Sequence, residues 1–431
     1  MRPGQILAKS FKLQNGIVLR NRLVKSAMSE ALGTLDNHPT LSLETLYGRW
    51  ADGGIGLCIT GNVMVDRRAL GEPNNVVIED EGDLALLKRW ATAGSRNGTQ
   101  LWMQINHPGK QAPRGLNCET VAPSSIPFRP EMTRFFGVPR ELKEQEIEDI
   151  IVRFGRTARI AKKAGFNGIQ IHGAHGYLVS QFLSPHHNQR TDRWGGNATN
   201  RRRFMLEVLG EIRGQVGNQF PVGIKLNSAD FQRGGFSEKE SIEAVEALEH
   251  AGIDLIEISG GTYETPFVMT GLRKIKASTL QREAYFLEFA EKARHAIRVP
   301  LMVTGGFRTS EGMANAIASG AVDLVGLARP LALEPDLPTG LLEGSKAKHA
   351  IKPVSTGIKL IDKMGFMEIA WYTRQLQRMG HGSDPKPTEP ALRAFLANTI
   401  ESGWKLFKMG RLMRLCKISS IEALWSAILK S

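Results

Sequence analysis

The stretch IHGAHGY, residues 171–177, places His172 and His175 three positions apart and Tyr177 two positions further on. Two neutral imidazoles can donate hydrogen bonds to a single carbonyl or nitro oxygen, and a phenol beside them can deliver a proton. A metal is the competing use of paired histidines. It would need third and fourth ligands, and no matching Asp, Glu or Cys cluster accompanies the pair, so no metal is expected. A second group is TGGF at 304–307 with LARPLALEP at 327–335. Gly305 and Gly306 offer turn amides and Arg329 a cation, the donor set that holds a phosphate, although glycines there could simply turn the chain. Gln104 and Lys225 form a third group. A side-chain amide both donates and accepts, matching an imide edge, and a fixed cation stabilises negative charge on a reduced ring. An interior lysine could equally pair with a carboxylate. Together the three groups suggest flavin mononucleotide.

Such residues need a scaffold that brings distant segments to one face. Eight short, mostly apolar runs recur along the chain: RLVKSA, GLCIT, LWMQI, GIQIH, VGIKLN, LIEIS, LMVTG and LVGLA. Helical patterns separate them, including LETLYGRWADGG, residues 144–164, NRRRFMLEVLGEIR, SIEAVEALEHAG, AYFLEFAEKARHA and TSEGMANAIASG. Alternation of this kind predicts parallel strands joined by crossover helices. An open doubly wound sheet would normally carry a Gly-rich dinucleotide loop after its first strand, which is absent, so a closed α/β barrel is expected. In such a barrel the chemistry lies where strands end. Met28, Ser29, Thr60, Gln104, His107, His172, His175, Gly305, Gly306 and Arg329 all fall at or just after strand ends, while Lys225 lies within the fifth strand. The Pro-rich loop between His107 and Arg140, with Phe128, Phe135 and Phe136, reads equally as a lid over the site or as a packing flap.

Composition narrows the class. The chain has 431 residues, 42% apolar and 23% charged, as expected of a globular enzyme long enough for a barrel plus additions. Cys58, Cys118 and Cys416 are too far apart in sequence for a disulfide framework or a local Cys-x-x-Cys motif. No secretory leader and no apolar run of roughly 20 residues is present, so a cytoplasmic enzyme is expected. The net charge of +13 could serve nucleic acid, anionic lipid or a phosphorylated cofactor. Without zinc-finger spacing, an RNA-recognition signature or an isolated polybasic arm, nucleic acid is not the expected partner. The barrel pattern covers 1–343 and leaves 344–431 as a C-terminal helical extension. Its end is basic and amphipathic, with Trp404, Phe407, Leu412, Leu415 and Ile418 among Lys405, Lys408, Arg411, Arg414 and Lys417. Docking on the barrel or on a second copy is the first expectation for it, and contact with an anionic membrane surface the second.

The run HGAHGYLVSQFLSPHHNQRTDRWGGNATNRRRF resembles the signature of the Old Yellow Enzyme family of FMN-dependent oxidoreductases, which build on a (β/α)8 TIM barrel. The resemblance extends over residues 4–343 and includes NRLVKSAMSE, QINHPGKQAP, VAPSSIP, VGIKLN and VTGGF with GLARPL. It implies that Ser26, Ala27, Met28 and Ser29 line the flavin, with Ser29 near the reactive edge of the ring. It further implies that Thr60 and Gln104 contact the isoalloxazine and that Lys225 sits by N1 and the C2 oxygen. The backbone at Gly305, Gly306, Ala328 and Arg329 would hold the phosphate. His172 and His175 would bind the electron-withdrawing group of an activated alkene, and Tyr177 would donate the proton. The implied reaction is ping-pong: NADH or NADPH reduces the flavin, which then reduces the alkene. Lys225 stands where the family commonly has Arg, Ala328 where it has Gly, Ala27 where it has Pro, and Trp194 where it has Tyr. Two other readings remain open here: a relative of the dienoyl-CoA reductases without their iron–sulfur domain, and a partner- or membrane-associated protein using the barrel as scaffold.

Overall fold

The computed structural model describes residues 1–401 except 134, 263, 265–282, 350, 352–353, 359–361, 363–365 and 398–399. The basic amphipathic stretch expected near the C-terminus, with Cys416, lies outside the described residues. Eight parallel strands form the centre: β1 (Leu23–Lys25), β2 (Leu57–Ile59), β3 (Gln100–Asn106), β4 (Gly168–Gly173), β5 (Val222–Asn227), β6 (Leu255–Ser259), β7 (Leu301–Thr304) and β8 (Leu324–Leu327). Each pairs with the next in chain order, and β8 pairs back onto β1, so the sheet closes as a (β/α)8 barrel. All eight strands lie on the runs that the sequence singles out.

The crossover helices are α1 (Leu41–Asp52), α2 (Leu84–Gly94), α3 (Glu144–Ala164), α4 (Ala198–Val216), α5 (Glu238–His250), α6 (Leu287–Ala296), α7 (Ser310–Ala318) and α8 (Leu337–Glu343). Their ends follow local chemistry. Ser237 caps α5 by accepting from Glu240 N, while the Glu240 carboxylate reaches back to Ser237 N. Helix α3 stops at Gly165, whose φ of +94° a side chain would disfavour. A further helix, α9 (Phe366–Gly380), follows the barrel proper and lies against α1 and the segment after β8. No helix among the described residues is long and apolar enough to cross a membrane.

The barrel interior is layered. A short antiparallel hairpin, Phe11–Lys12 with Val18–Leu19, closes the N-terminal end, and Leu13 and Leu19 join Val24, Leu57, Trp102, Leu255, Met302 and Leu324 in one apolar cluster. Trp102 needs glycine neighbours: a Cβ at Gly168 would lie 2.7 Å from its ring and one at Gly223 3.0 Å. Alternation along each strand then turns the next inward residue toward the open end, where the side chains become polar. A larger apolar cluster fills the shell between strands and helices. Each fully buried Leu, Ile or Phe there contributes about 1.5–3 kcal/mol. Lys25 points into this shell: its ammonium donates to Ile59 O at 2.8 Å and lies 4.3 Å from the Trp50 ring centroid. Burial pushes its pKa down.

Candidate active site at the barrel mouth

The inward residues of the last strand turns form a connected polar layer. Gln104 on β3 donates through Nε2 to Gln170 Oε1 on β4 at 2.7 Å, and Gln170 Nε2 donates to Glu257 Oε2 on β6 at 2.7 Å. The other Glu257 oxygen accepts from Thr304 Oγ1 at the end of β7 at 2.7 Å and lies 3.0 Å from Lys225 Nζ on β5. Because Thr304 spends its hydrogen on Glu257, the 2.7 Å contact between Ser26 Oγ and Thr304 Oγ1 is a donation from Ser26. Five strands and the residue just past β1 are thereby tied by one polar chain. Gly326 makes room for it, since a Cβ there would sit 1.9 Å from Thr304 Oγ1. Both uses considered for Lys225 meet in this layer: it pairs with a fully buried carboxylate and still has N–H groups to offer. The sequence singles out neither Gln170 nor Glu257, and takes Thr304 only as the first residue of TGGF. Each reads there as part of an ordinary strand, and the signal available was their place in the alternation beside Gln104 and Lys225.

The His172, His175 and Tyr177 side chains do come together. The ring of His172 stands 5.2 Å from that of His175 and 4.7 Å from that of Tyr177, edge to face in both cases. Strand β4 supplies His172, and a left-handed turn at His175 (φ +61°) carries the chain back past it. His175 N donates to Asn227 Oδ1 at 3.1 Å, and its Nε2 lies 2.9 Å from Ser259 Oγ. Ala174 N donates to His172 Nδ1 at 3.3 Å, so in the neutral ring the proton resides on Nε2, which is then a donor. Burial holds both imidazoles well below their usual pKa, with Lys225 and, for His172, the neighbouring His175 adding to the effect.

Other expected residues occupy the rim. Ser26 is buried, whereas Ala27, Met28 and Ser29 are half-buried. The Ser29 hydroxyl donates to Glu72, which also accepts from Asn75 Nδ2 at 3.1 Å. Burial first, and then the charge of Glu30, pushes Glu72 up to about 7. Thr60 is spent on the backbone: its hydroxyl donates to Gly61 O at 2.9 Å and accepts from Gln104 N at 2.9 Å. Gly305 and Gly306 have φ of +110° and +95°, and a Cβ at Gly306 would meet Glu283 O at 2.0 Å. Only glycine fits a turn so close to neighbouring backbone at these φ values. Ala328 and Arg329 follow β8, half-buried, with Arg329 Nη1 2.7 Å from Glu368 Oε1 on α9. A polar floor with donors and acceptors, a two-glycine turn and an adjacent guanidinium fit the heterocycle and phosphate of FMN.

The NQRTDRWGG motif does structural work beside this site. Arg190 binds Asp192 through Nη2 at 2.6 Å and donates to Pro123 O and Leu142 O at 3.0 and 2.6 Å, pinning the Pro-rich loop to the start of α3. Within that loop Phe128 and Phe136 pack with centroids 4.5 Å apart, and the Lys110 ammonium lies 4.3 Å from the centre of Phe128. Lys110 and His187 both approach Glu264 Oε2 at 3.6 Å. His186, His187 and Glu264 place potential metal-ligating atoms within 4.8 Å of one another, a cluster that sequence spacing did not disclose. The Lys110 ammonium already faces its carboxylate.

Comparison with known proteins gives the family and the fold. The family model described as NADH:flavin oxidoreductase / NADH oxidase family matches residues 7–348. The NADH-dependent flavin oxidoreductase iliE of Hypocrea jecorina (strain QM6a) is 38% identical over 360 residues, covering 78% of this chain and 89% of that protein. The solved complex of 2-naphthoyl-CoA reductase with 2-naphthoyl-CoA is 28% identical with a TM-score of 0.72, covering 79% of this chain and 52% of that one. The Old Yellow Enzyme homologue from Zymomonas mobilis shares the fold, with a TM-score of 0.68 at 23% identity over 80% of this chain and 94% of that one.

Proposed function

The chain belongs to the NADH:flavin oxidoreductase / NADH oxidase family, the Old Yellow Enzyme family its motifs resemble, and on that premise we propose that it reduces activated C=C bonds in two alternating half-reactions. FMN held at the barrel mouth would supply the redox chemistry, hydride acceptance from a reduced nicotinamide and hydride donation to the carbon β to a carbonyl or nitro group. NADH is the donor proposed, following the name of the fungal relative. Gln104, Lys225 and the 305–306 turn with Arg329 are the residues proposed to hold the ring and its phosphate.

The observation that carries this reading is the His172, His175 and Tyr177 cluster, with rings 4.7–5.2 Å apart, standing beside the polar layer. His172 presents an Nε2–H, and burial keeps it neutral, so it can donate to a substrate oxygen without itself becoming an acid. His175 is held on the same side by Asn227 and Ser259. Donors held in place in this way would need no reorganisation as negative charge grows on a substrate oxygen. The Tyr177 phenol then gives its proton to the α carbon and recovers one from solvent. Anaerobic addition of NADH should bleach the flavin absorbance, and 2-cyclohexenone should restore it. Tyr177→Phe should slow the second step by roughly 10²–10⁴-fold and spare the first. Equal loss in both steps would remove Tyr177 from the proton-donor role, and an enone that fails to reoxidise the flavin would remove the alkene class.

A further inference from the structure

Helix α9 touches the cofactor side of the mouth at several points. Thr373 Oγ1 donates to Ser29 O at 3.0 Å and Gln377 Nε2 to Glu30 O at 3.3 Å, so the helix holds the loop that follows β1. One turn earlier Glu368 accepts from Arg329. Between these contacts stands Tyr372, 5% exposed, whose hydroxyl has no hydrogen-bond partner among the described residues. A buried O–H with no acceptor carries an uncompensated desolvation cost, which a ligand oxygen would remove. Its surroundings say which ligand. Tyr372 lies four residues, one helical turn, beyond Glu368, so the two share a face of α9, and Glu368 holds the Arg329 guanidinium at 2.7 Å; the Tyr285 ring lies 3.4 Å from where a Cβ of Gly305 would be. A guanidinium and an unpartnered buried phenol thus stand at one end of α9, and a second phenol stands at the glycine turn.

We propose that α9 completes the phosphate end of the FMN site: Tyr372 donates its hydroxyl hydrogen to a phosphate oxygen held by Arg329, while Glu368 competes with that phosphate for the guanidinium. The proposal rests on the reading of Gly305, Gly306 and Arg329 as the phosphate cradle. Burial pushes the Tyr372 hydroxyl up to about 12, so it keeps its proton at neutral pH and can only help by donating. Glu368 acts in the opposite sense. Its carboxylate holds the Arg329 guanidinium in position, but a phosphomonoester dianion must share or displace it, and the like charges repel. The helix therefore contributes one donor that favours the phosphate and one anion that limits its affinity.

The test is the ratio of FMN to riboflavin affinity, since riboflavin lacks only the phosphate. Both flavins are titrated by fluorescence quenching into full-length protein freed of flavin. Tyr372→Phe should weaken FMN binding about tenfold or more and leave riboflavin unchanged. Glu368→Gln should tighten FMN binding several-fold, again with riboflavin unchanged. Arg329→Gln should collapse the ratio. If Arg329→Gln lowers the ratio but Tyr372→Phe and Glu368→Gln do not move it, the role of α9 is refuted and the cradle stands. If Arg329→Gln leaves the ratio intact, the cradle itself is misassigned and the proposal falls with it. Parallel weakening of both flavins in Tyr372→Phe would reduce the tyrosine to packing and overturn the donor role.

Discussion

His107, one residue beyond β3, should make this protein acid-sensitive by an amount that can be worked out. The side chain is 2% exposed, and Gly109 N donates to its Nδ1 at 3.1 Å. Burial is the largest influence on the ring; Arg68 and Arg153 act in the same direction and Asp66 against it, leaving it pushed down to about 4. In the unfolded chain the ring returns to about 6.5. As pH falls through that value the unfolded chain binds a proton that the native one refuses, so stability present above about pH 6.5 is lost toward about pH 4. From about pH 7 to about pH 5 the loss integrates to about 2 kcal/mol for this one group. Glu72 opposes it. Its native value near 7 lies above its unfolded one, so the native state binds the proton first and gains roughly the same amount over that interval. Wild-type behaviour alone therefore hides both contributions, and variants separate them. His107→Asn keeps an acceptor for Gly109 N, and between the two pH values it should lose about 2 kcal/mol less than wild type; Glu72→Gln should lose about 2 kcal/mol more. Urea unfolding of FMN-saturated protein, followed by tryptophan fluorescence at both pH values, measures this. The same pH dependence in His107→Asn and wild type would show that the imidazole is not held neutral by burial, and the reasoning would fail.

Two substitutions probe the cradle and the floor. Gly306→Ala puts a Cβ 2.0 Å from Glu283 O at a φ of +95°, so purified protein should carry little FMN and unfold with at least about 1–3 kcal/mol less stability; wild-type flavin content and melting temperature would refute the close approach. Lys225→Met strands the fully buried Glu257 without its cation at 3.0 Å and should cost about 3–5 kcal/mol, most of which Lys225→Met with Glu257→Gln should restore. Denaturation midpoints of the single and double variants measure the recovery, and an unaffected single variant would mean that Gln170 and Thr304 satisfy Glu257 by themselves.

Much of the architecture was written along the chain. Eight short apolar runs alternating with amphipathic helical segments are a local signal, because a strand covered on both faces must be apolar throughout and a covering helix must be apolar on one side. The polar residues at the strand ends were legible for the same reason: once the alternation is known, the barrel's C-terminal face is known. His172, His175 and Tyr177 lie within a few positions of one another, so their meeting is largely a local event.

How residues on different strands complete one another follows only from the closed fold. Glu257 is one carboxylate in LIEIS, and nothing nearby in sequence says that it accepts from Gln170, Thr304 and Lys225, which lie 87, 47 and 32 positions away. The pairing of Ser29 with Glu72 and of Arg329 with Glu368 depends likewise on where loops and helix α9 settle. A residue's facing direction follows from periodicity, which the sequence carries by itself. Its partner follows from strand order, register and loop packing, and those exist only once the sheet has closed.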